Sequence, residues 1–575
     1  MRLEHGKRDI RTSILQPGVN CSGLFQADSG GILIDGRSYY RSFYELAKKA
    51  ERYILITGWQ FDRNVHLLRG DDIQDTAAEV RFIPFLNELC LMKQELEIYI
   101  LAWDYSMIFA LEREWLQELV MNWVTCDRLH FRFDNSSAVG GSHHQKFAVI
   151  DGVFAFAGGM DICAGRWDDS RHLAENSDRK DDNGRLYAPY HELQAYLSGP
   201  VVKVMVDLFK NRWHESGGGN LQIEETGSDR QLSITGDFTL PSTFVALSET
   251  RPQTLIPFRH SVREIENLYR KAIMSAERFI YLENQYFSSR VIYNTFADRM
   301  ESSRKPPLQI VMILPIKPGA LLEEITMGLA QARVLNSLKN IALRKGHSLG
   351  IYYTVATSDD IEIPTYIHSK LLIVDDCFLT VGSANTTNRS MGLDSELNVS
   401  WETGGGNQTI LGESIKNVRL GLLAEHMGIE HQNRLSENSD RVVDYLEQVV
   451  RDKMCRLRHH TTNGSIGNAE WLDKYELDQF SFDLGRPIIE ESVLRTMSEN
   501  RRGLFSRGIE FLNNWLFECR LETASDIRCA KAIDTTARQS AMLFFNPVRH
   551  LRYIKWGILF LMSAAAVYLL MKLLK

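Results

Sequence analysis

The sequence has few cysteines, no excess of basic residues and no early hydrophobic run, and each absence excludes a class of protein. Its eight cysteines in 575 residues include no C-x-x-C pair, which argues against a disulfide scaffold and a zinc knuckle. The net charge of −7 excludes a chain that binds nucleic acid over its whole surface, since such binding needs excess Lys and Arg. No apolar segment follows the charged N-terminus, so we expect no secretory signal peptide.

The longest uncharged run lies at the C-terminus. Residues Trp556–Met571 carry no charge, and basic residues flank them on both sides. A helix of this length would span roughly 24 Å, and flanking lysines can extend their amines to the membrane surface. We expect 549–575 to be a transmembrane or membrane-anchor helix with the catalytic part on the cytoplasmic side; a buried core helix or a re-entrant segment would have the same pattern.

Two segments recur in the same order in the two halves of the chain, which indicates an internal duplication. The run AERYIL at Ala50–Leu55 returns as AERFIY at Ala276–Tyr281. Downstream, H-x-K-x4-D occurs at His144–Asp151 and at His368–Asp375, and G-[GS]-x-[DN] follows each copy. Apolar strands alternate with helices in each half, so we predict an α/β fold of two similar lobes related by pseudo-two-fold symmetry.

Changes in composition set the predicted domain boundaries. The first catalytic lobe covers 14–216, and a polar, glycine-rich linker covers 217–250. The second lobe covers 251–403, and a polar helical extension, 404–548, precedes the apolar tail. Within this extension, Arg501–Arg520 could lie on a membrane surface, although packing onto the core is the favoured alternative.

The duplicated motif predicts a site made of two histidines and two lysines. If H-x-K lies on a strand, the histidine and the lysine of each copy point to the same face, whereas the aspartate points to the opposite face. We therefore interpret the two aspartates as structural supports within the motif and not as acid/base groups. The motif residues of the predicted catalytic set are His144, Lys146, Asp151, His368, Lys370 and Asp375.

The paired histidines and lysines suit a phosphodiester substrate. Two ammonium groups can stabilise the charge that builds on the non-bridging oxygens in the transition state. One neutral imidazole can attack phosphorus to form a phosphohistidine, and the other, protonated, can protonate the leaving alkoxide before water hydrolyses the intermediate. The sequence has no H-E-x-x-H, no D-x-D-x-D-G loop and no Cys/His cluster, so we predict a metal-independent centre without a cofactor.

Further polar residues near the motifs are candidates for a supporting role. A catalytic histidine needs an orienting carboxylate, for which Glu396 is the candidate in the second half and Asp168 in the first, with Asp169 and Glu175 as alternatives. The supporting or phosphate-binding candidates are Gly159, Asp161, Ser383, Asn385, Glu396 and Asp168. The residues that either line a pocket or pack in the core are Trp59, Glu283, Asn284 and Gln285. We interpret His143 as structural and leave His172 and His191 unassigned.

These segments resemble the phospholipase D superfamily, the HKD enzymes, over about residues 14 to 402. HHQKFAVID with AGGMDICAGRWD resembles the first motif of true phospholipases D, and IHSKLLIVD with GSAN resembles the second. YLENQYF resembles a further strand of the family. The segments quoted are 143–151, 157–168, 367–375, 382–385 and 281–287.

The resemblance implies a duplicated α-β-α-β-α sandwich with one active site at the lobe interface, in which His144 is the nucleophile and His368 the general acid. It implies a membrane-associated phospholipase D that converts phosphatidylcholine-like lipids to phosphatidic acid and the head-group alcohol, with possible transphosphatidylation. Since no PX, PH or C2 module is recognised, the bacterial-type enzyme is the better match. We expect the phospholipid bilayer as partner, no nucleic acid, and a monomeric catalytic unit.

Three alternatives stay open at this point. A cardiolipin synthase-like phosphatidyltransferase would pass the same intermediate to a lipid alcohol. A nuclease or tyrosyl-DNA phosphodiesterase of the same superfamily fits less well, because the chain is acidic and ends in an apolar tail. A non-catalytic membrane adaptor would not need histidine and lysine at both motifs.

Overall fold

The computed structural model describes residues 13–460 apart from short gaps, and all of them belong to one compact unit. The predicted anchor 549–575, the segment Arg501–Arg520 and most of the predicted extension 404–548 lie outside the described residues. Within the described part of the chain, no helix combines the length and the apolar composition that crossing a bilayer requires. The ranges outside the description are 1–12, 75–76, 105–121, 123–124, 139, 224–231, 256–257, 317–320, 359–360, 405–408 and 461–575.

The first half of the chain builds a mixed sheet of eight strands. Across the sheet the order is Phe238–Thr239, Ser29–Ile34, Leu193–Ser198, Phe154–Gly158, Phe147–Ile150, Tyr53–Gly58, Glu97–Trp103 and Leu129–Asp134. The last three strands run parallel, and all earlier neighbours are antiparallel. The central strand Tyr53–Gly58 is buried throughout, as expected for a strand that is covered on both faces.

The second half builds a larger sheet on the same plan. Its order is Gly23–Gln26, Phe244–Arg251, Glu396–Glu402, Phe378–Gly382, Leu371–Val374, Phe279–Glu283, Gln309–Ile313, Ser348–Ser358 and Ile361–Pro364, with Val262–Arg263 and Leu457–His459 paired beside this path. From Phe244–Arg251 to Ser348–Ser358, the order and directions repeat those from Ser29–Ile34 to Leu129–Asp134. The duplication in the sequence is thus repeated in the topology.

Helices cover the outer faces of both sheets, and helices Val201–Trp213 and Thr409–Met427 contribute to the apolar cluster between the sheets, which confirms the mixed α/β class. Helix Asp35–Lys49 buries Tyr39, Phe43 and Leu46 at helical spacing, and Lys48 and Lys49 in its last turn complement the helix dipole. The described helices are Asp35–Lys49, Phe82–Met92, Val201–Trp213, Glu264–Ser275, Arg290–Glu301, Leu321–Lys345, Asn388–Gly392, Thr409–Met427, Gln432–Glu437 and Val442–Arg451.

Three clusters of buried apolar side chains hold these layers together. The largest joins the two sheets, with Val149 from the first and Ile373 from the second, and it takes in helix Thr409–Met427. A second cluster packs the first sheet against its outer helices around Phe43. The third does the same for the second sheet around Ile273. The shared cluster packs the two halves against each other through the sheet faces that hold Val149 and Ile373.

Short elements cross the predicted boundaries. Strand Gly23–Gln26 belongs to the second sheet, although it precedes the first lobe's own strands. The predicted linker 217–250 contributes Phe238–Thr239 to the first sheet. The start of the predicted extension 404–548 is part of the second half, since Leu457–His459 pairs with its sheet. The two halves are therefore interlocked and not joined by a simple linker.

Candidate active site

The two H-x-K segments lie at the junction of the halves, and each is hydrogen-bonded to the opposite half. Each lysine immediately precedes a central strand, Phe147–Ile150 or Leu371–Val374. The backbone N–H of His144 donates to the carbonyl of Ser395 at 2.9 Å, and that of His368 donates to the carbonyl of His191 at 2.9 Å. The fold therefore positions each histidine by a strand end of its own half and a peptide group of the other.

The carboxylates that orient the two histidines come from opposite halves, which corrects the predicted pairing. Glu396 contacts His144, with Nδ1 2.9 Å from Oε2, and not the histidine of its own half. Glu192, which was not predicted, contacts Nδ1 of His368. Glu396 is the first residue of strand Glu396–Glu402, and Glu192 immediately precedes strand Leu193–Ser198. Each side chain contacts the histidine of the opposite half.

The other predicted orienting residues have different partners. Asp168 lies 3.0 Å from Nδ1 of His172 and accepts from Arg179 at 3.1 Å, so it does not hold His144. Asp169 is paired with Arg171 at 2.7 Å, and Glu175 is exposed. A signal for Glu192 exists in the sequence: Glu-Leu stands at 192–193 and at 396–397, before equivalent strands, but the spacing from the motif differs between the halves.

The two lysines have different surroundings. Nζ of Lys146 lies 3.2 Å from the buried carboxylate of Asp161, which also accepts the backbone N–H of Trp59 at 2.8 Å. Nζ of Lys370 donates to the amide oxygen of Gln285 at 3.3 Å. Asn385 takes the place of Asp161 in the second half, and its buried Oδ1 has no hydrogen-bond partner among the described residues.

Gly159 and Ser383 occupy equivalent positions after the two motifs but contact the orienting glutamates differently. Oγ of Ser383 donates to Glu396 at 2.5 Å, and the Ser383 carbonyl lies 3.1 Å from Nδ1 of His144. At the equivalent position, a Cβ on Gly159 would lie 2.6 Å from both carboxylate oxygens of Glu192. Glycine is thus required there for steric reasons, whereas serine is a hydrogen-bond donor to its glutamate.

Burial and neighbouring cations set the protonation of the site. Burial, Lys146 and Lys370 lower the pKa of His144 well below its usual value. Burial, Lys370 and Arg166 do the same to the pKa of His368, to which Lys146 and His144 also contribute. These mutual influences place both motifs in one electrostatic environment. Both imidazoles are consequently neutral near pH 7.

The groups around the imidazoles titrate near neutrality. Burial raises the pKa of Glu396 and that of Glu192 to about 7. Burial lowers the pKa of Lys370 to about 7, because the charged ammonium is taken out of water. Such shifts are typical of catalytic sites.

An aromatic cluster adjoins His368. Tyr190 and Tyr366 stack with a centroid distance of 5.7 Å, and the His368 ring lies 5.5 Å from the first and 6.2 Å from the second. Arg166 lies over the Tyr190 ring and donates to its hydroxyl at 2.7 Å. Gln285, a predicted pocket residue, donates to the Tyr366 hydroxyl at 2.9 Å. The tyrosines were missed because no motif includes them.

The motif aspartates lie at the far ends of the strands. The carboxylate of Asp151 accepts the backbone N–H groups of residues 51, 52 and 53 at 2.8–2.9 Å. That of Asp375 accepts those of residues 277, 278 and 279 at 2.8 Å. Both residues have a positive φ. They hold the turn that follows each motif strand and do not contact the histidines.

The remaining predicted pocket residues are largely structural. Trp59 stacks on Trp103 with a centroid distance of 5.7 Å. Asn284 is buried and accepts the backbone N–H of Thr386 at 3.0 Å. Glu283 is buried and accepts from the hydroxyl of Ser369 at 2.6 Å, directly beside His368.

Comparison with known proteins points to the same family. A family model described as "Cardiolipin synthase, PLD-like domain" matches residues 269–411. The chain is 23% identical to phospholipase D1 of Saccharomyces cerevisiae, in a match that covers 79% of this chain and 32% of the yeast protein. It is 22% identical to phospholipase D alpha 1 of Cynara cardunculus, over 72% of this chain and 66% of that protein.

Among solved structures, phosphatidylserine synthase of Haemophilus influenzae is similar with a TM-score of 0.46 and 14% identity, over 75% of this chain and 95% of that one. The chain thus spans about a third of the yeast relative and about two thirds of the plant relative. Together with the duplicated histidine–lysine site, these sequence matches support the resemblance to the phospholipase D superfamily, at 22–23% identity to the two relatives named.

Proposed function

We propose that the protein is a phospholipase D that hydrolyses the distal phosphodiester bond of phosphatidylcholine-like lipids. The contacts of Nδ1 of His144 are the observation that carries this proposal. Its Nδ1 faces the carbonyl oxygen of Ser383 at 3.1 Å as well as Glu396, and a carbonyl can only accept. Nδ1 therefore carries the proton, and Nε2 keeps its lone pair for attack on phosphorus.

His368 is suited to the complementary role of general acid. Its Nδ1 faces the carboxylate of Glu192 and, at 3.0 Å, the ammonium group of Lys370, so an acceptor and a donor both lie beside this nitrogen. A bound phosphodiester adds negative charge, which raises the pKa of this imidazole and favours its protonation. His368 can then protonate the leaving alkoxide and later take a proton from water.

The reaction then proceeds in two balanced steps. Nε2 of His144 forms a bond to phosphorus while the P–O bond to the head group breaks, and the head-group oxygen takes the proton of His368. Water then loses a proton to His368, its oxygen bonds to phosphorus, and the P–N bond breaks to release phosphatidic acid. Lys146 and Lys370 stabilise the non-bridging oxygens in both steps. An alcohol in place of water would give transphosphatidylation.

The test is incubation of the protein with phosphatidylcholine, phosphatidylethanolamine and phosphatidylglycerol vesicles, each labelled in the diacylglycerol part, with and without ethanol. We expect phosphatidic acid without ethanol and phosphatidylethanol with it. His144→Ala serves as the inactive control. The absence of both products from all lipids would contradict the proposal.

A phosphatidyltransferase of the cardiolipin synthase kind is the second candidate, because the matching family model carries that description. In the same assay it would convert phosphatidylglycerol to cardiolipin and free glycerol, and it would form little phosphatidic acid. A nuclease would instead cleave single-stranded DNA and leave all lipids intact.

We further propose that the catalytic unit acts as a monomer and that the apolar run Trp556–Met571 anchors it to the membrane. One chain supplies both histidine–lysine pairs, and the run is uncharged with basic flanks. Deletion of 549–575 should move the protein from the membrane pellet to the supernatant without loss of activity on detergent-dispersed lipid. Unchanged pelleting would contradict the anchor.

A further inference from the structure

A buried cluster of two histidines and two carboxylates lies behind the active site. Asp35 begins a helix of the first half, and Glu425 lies on helix Thr409–Met427 of the second. His172 and His191 complete the set, and all four side chains are at most 6% exposed. One oxygen or nitrogen from each lies within 4.8 Å of those of the others. The reaction proposed above uses none of these side chains.

The four side chains form a closed ring of contacts. Oε1 of Glu425 lies 3.0 Å from Nε2 of His172 and 2.9 Å from Nδ1 of His191. On the other side, the two oxygens of Asp35 lie 3.3 Å and 3.2 Å from the same two nitrogens. A tetrahedral cation bound at about 2.0–2.1 Å separates neighbouring ligand atoms by about 3.4 Å, close to these distances.

Hydrogen bonds from the two histidines cannot satisfy all the carboxylate oxygens of this ring. Each inward nitrogen can carry one proton, yet it faces two carboxylates. Oδ2 of Asp35 is buried and has no hydrogen-bond partner among the described residues. A single cation at the centre would bind both nitrogens and both carboxylates at once, and an unsatisfied buried carboxylate oxygen is otherwise destabilising.

The outward nitrogens of both histidines are held by further carboxylates. Nδ1 of His172 lies 3.0 Å from Asp168, and Nε2 of His191 lies 3.0 Å from Glu283. This carboxylate–histidine arrangement is the usual environment of metal-bound histidines, whose second nitrogen donates to a carboxylate or carbonyl.

The charge of the surroundings matches a divalent cation. Four carboxylates belong to the ring and its outer contacts, those of Asp35, Asp168, Glu283 and Glu425. Two guanidinium groups oppose them: Arg179 on Asp168, and Arg456 on the backbone carbonyl of Glu425. The two remaining negative charges can be balanced in two ways. Both imidazoles can be protonated, since the surrounding carboxylates raise the pKa of His172 and that of His191 despite burial, or one divalent cation can replace the two protons.

We propose that Asp35, His172, His191 and Glu425 bind one divalent first-row metal ion, for which zinc is the best match. Imidazole nitrogens and carboxylate oxygens are both zinc ligands, and zinc favours four ligands in a tetrahedral arrangement, whereas calcium and magnesium prefer oxygen ligands only. The ion would join the two halves one residue away from Glu192, which orients His368. It takes no part in phosphoryl transfer, so the prediction of a metal-independent catalytic centre is unaffected.

The test is elemental analysis of the untagged full-length chain, purified without chelator. We expect about one zinc or other first-row ion per chain in the wild type and in His144→Gln, and little in Glu425→Gln and His172→Gln. His144→Gln is the matched control, because it removes a partly buried imidazole from the neighbouring catalytic site only. Equal metal in wild type and Glu425→Gln would overturn the proposal, and so would a metal-free wild type that does not bind added zinc.

A second measurement keeps the proposal testable if the variants do not fold. Wild-type protein is treated with a strong chelator, and its thermal midpoint is then followed during titration with Zn²⁺ or Mg²⁺. We expect the chelator to lower the midpoint and Zn²⁺, but not Mg²⁺, to restore it at about one equivalent per chain. A midpoint that responds to neither the chelator nor zinc would overturn the proposal. Because the readouts are metal content and stability, they stand independently of lipid hydrolysis.

Discussion

The two halves of the catalytic site share one plan and differ at a few side chains. In the first half, Lys146 is paired with the carboxylate of Asp161. In the second, Lys370 contacts the neutral amide of Gln285 and lies 3.8 Å from the carboxylate of Glu192, and Asn385 replaces the aspartate. The difference shows how a duplicated fold can obtain two unequal imidazoles: the strands stay the same, and single substitutions change the charge and the hydrogen bonds around each ring.

The same inequality applies to Nδ1 of the two histidines. Beside its glutamate, Nδ1 of His144 faces a backbone carbonyl, which fixes its tautomer. Beside its glutamate, Nδ1 of His368 faces an ammonium group. Symmetric backbone geometry thus supports one imidazole that keeps a lone pair and another that can exchange a proton. Substitutions that change the contacts of either ring therefore test whether His144 is the nucleophile and His368 the general acid.

The largest effect is expected from removal of either imidazole. His144→Ala and His368→Ala should each lower kcat on the order of 10³-fold or more, because both steps need both rings. The variants should differ in one respect: only His368→Ala can still form a phosphohistidine, most readily from a substrate whose leaving group needs no proton. Acid-quench trapping with a labelled p-nitrophenyl phosphodiester measures this, and equal trapping in both variants would refute the assigned roles.

Loss of an orienting carboxylate should come next. Glu396→Gln and Glu192→Gln should each lower kcat by about 10²- to 10⁴-fold with little change in KM, since the rings remain but are poorly held. Glu192→Gln should be the milder change, because Nδ1 of His368 keeps its contact with Lys370. Steady-state kinetics on both variants decides the order, and a larger loss in Glu192→Gln would contradict it.

The Glu396→Gln variant should also become relatively more stable as pH rises. The pKa of Glu396 rises from 4.5 to about 7 on folding, so between these values the folded state binds a proton that the unfolded state has lost. Wild-type stability therefore falls with rising pH across this window, by up to about 3 kcal/mol from this one group. Urea denaturation of both proteins at pH 4.5 and 8 gives their free energies of unfolding. The value for the variant should rise relative to that of the wild type between the two pH values.

A smaller loss of activity is expected when Lys370 is given a carboxylate neighbour like that of Lys146. Asn385→Asp places a carboxylate at the position equivalent to Asp161, which should raise the pKa of Lys370 and repel the substrate phosphate. We expect kcat/KM to fall about tenfold, which corresponds to about 1.4 kcal/mol. The alkaline limb of the pH profile should move to higher pH, and an unchanged limb would show that Lys370 does not control it.

The smallest effect is expected at the glycine–serine pair. Ser383→Ala removes one hydrogen bond to Glu396 and should lower kcat only a few-fold, because the carboxylate stays in place and keeps its contact with Nδ1 of His144. Gly159→Ala should be worse than Ser383→Ala, because its Cβ would lie 2.6 Å from the Glu192 oxygens. Parallel kinetics of the two variants checks this order.

Much of the site could be predicted from the sequence because the duplication is local. H-x-K repeats with its strand and its G-[GS]-x-[DN] segment, and these elements are contiguous in the chain. Strands Phe147–Ile150 and Leu371–Val374 begin directly after the predicted lysines for the same reason. The mixed α/β class follows from alternating strand and helix patterns, each of which depends on only a few neighbouring residues.

The orienting glutamates could not be assigned from the sequence. Glu396 was paired with the histidine of its own half, whereas the structure pairs it with His144, and Glu192 was missed. Periodicity describes which face of a strand a side chain occupies; it does not contain the distance between residues on different sheets. The sequence could not predict the buried ring of Asp35, His172, His191 and Glu425 for the same reason, since no two of its members are sequence neighbours.

By itself, then, the sequence determined the duplicated strand pattern, the two histidine–lysine pairs and the phosphodiester chemistry that they suit, because these are encoded by residues a few positions apart. Only the tertiary structure decided which carboxylate orients which imidazole and how the halves interlock. Those contacts form when the two sheets pack across one apolar core, and that packing brings together side chains that are 176 and 252 positions apart in the chain.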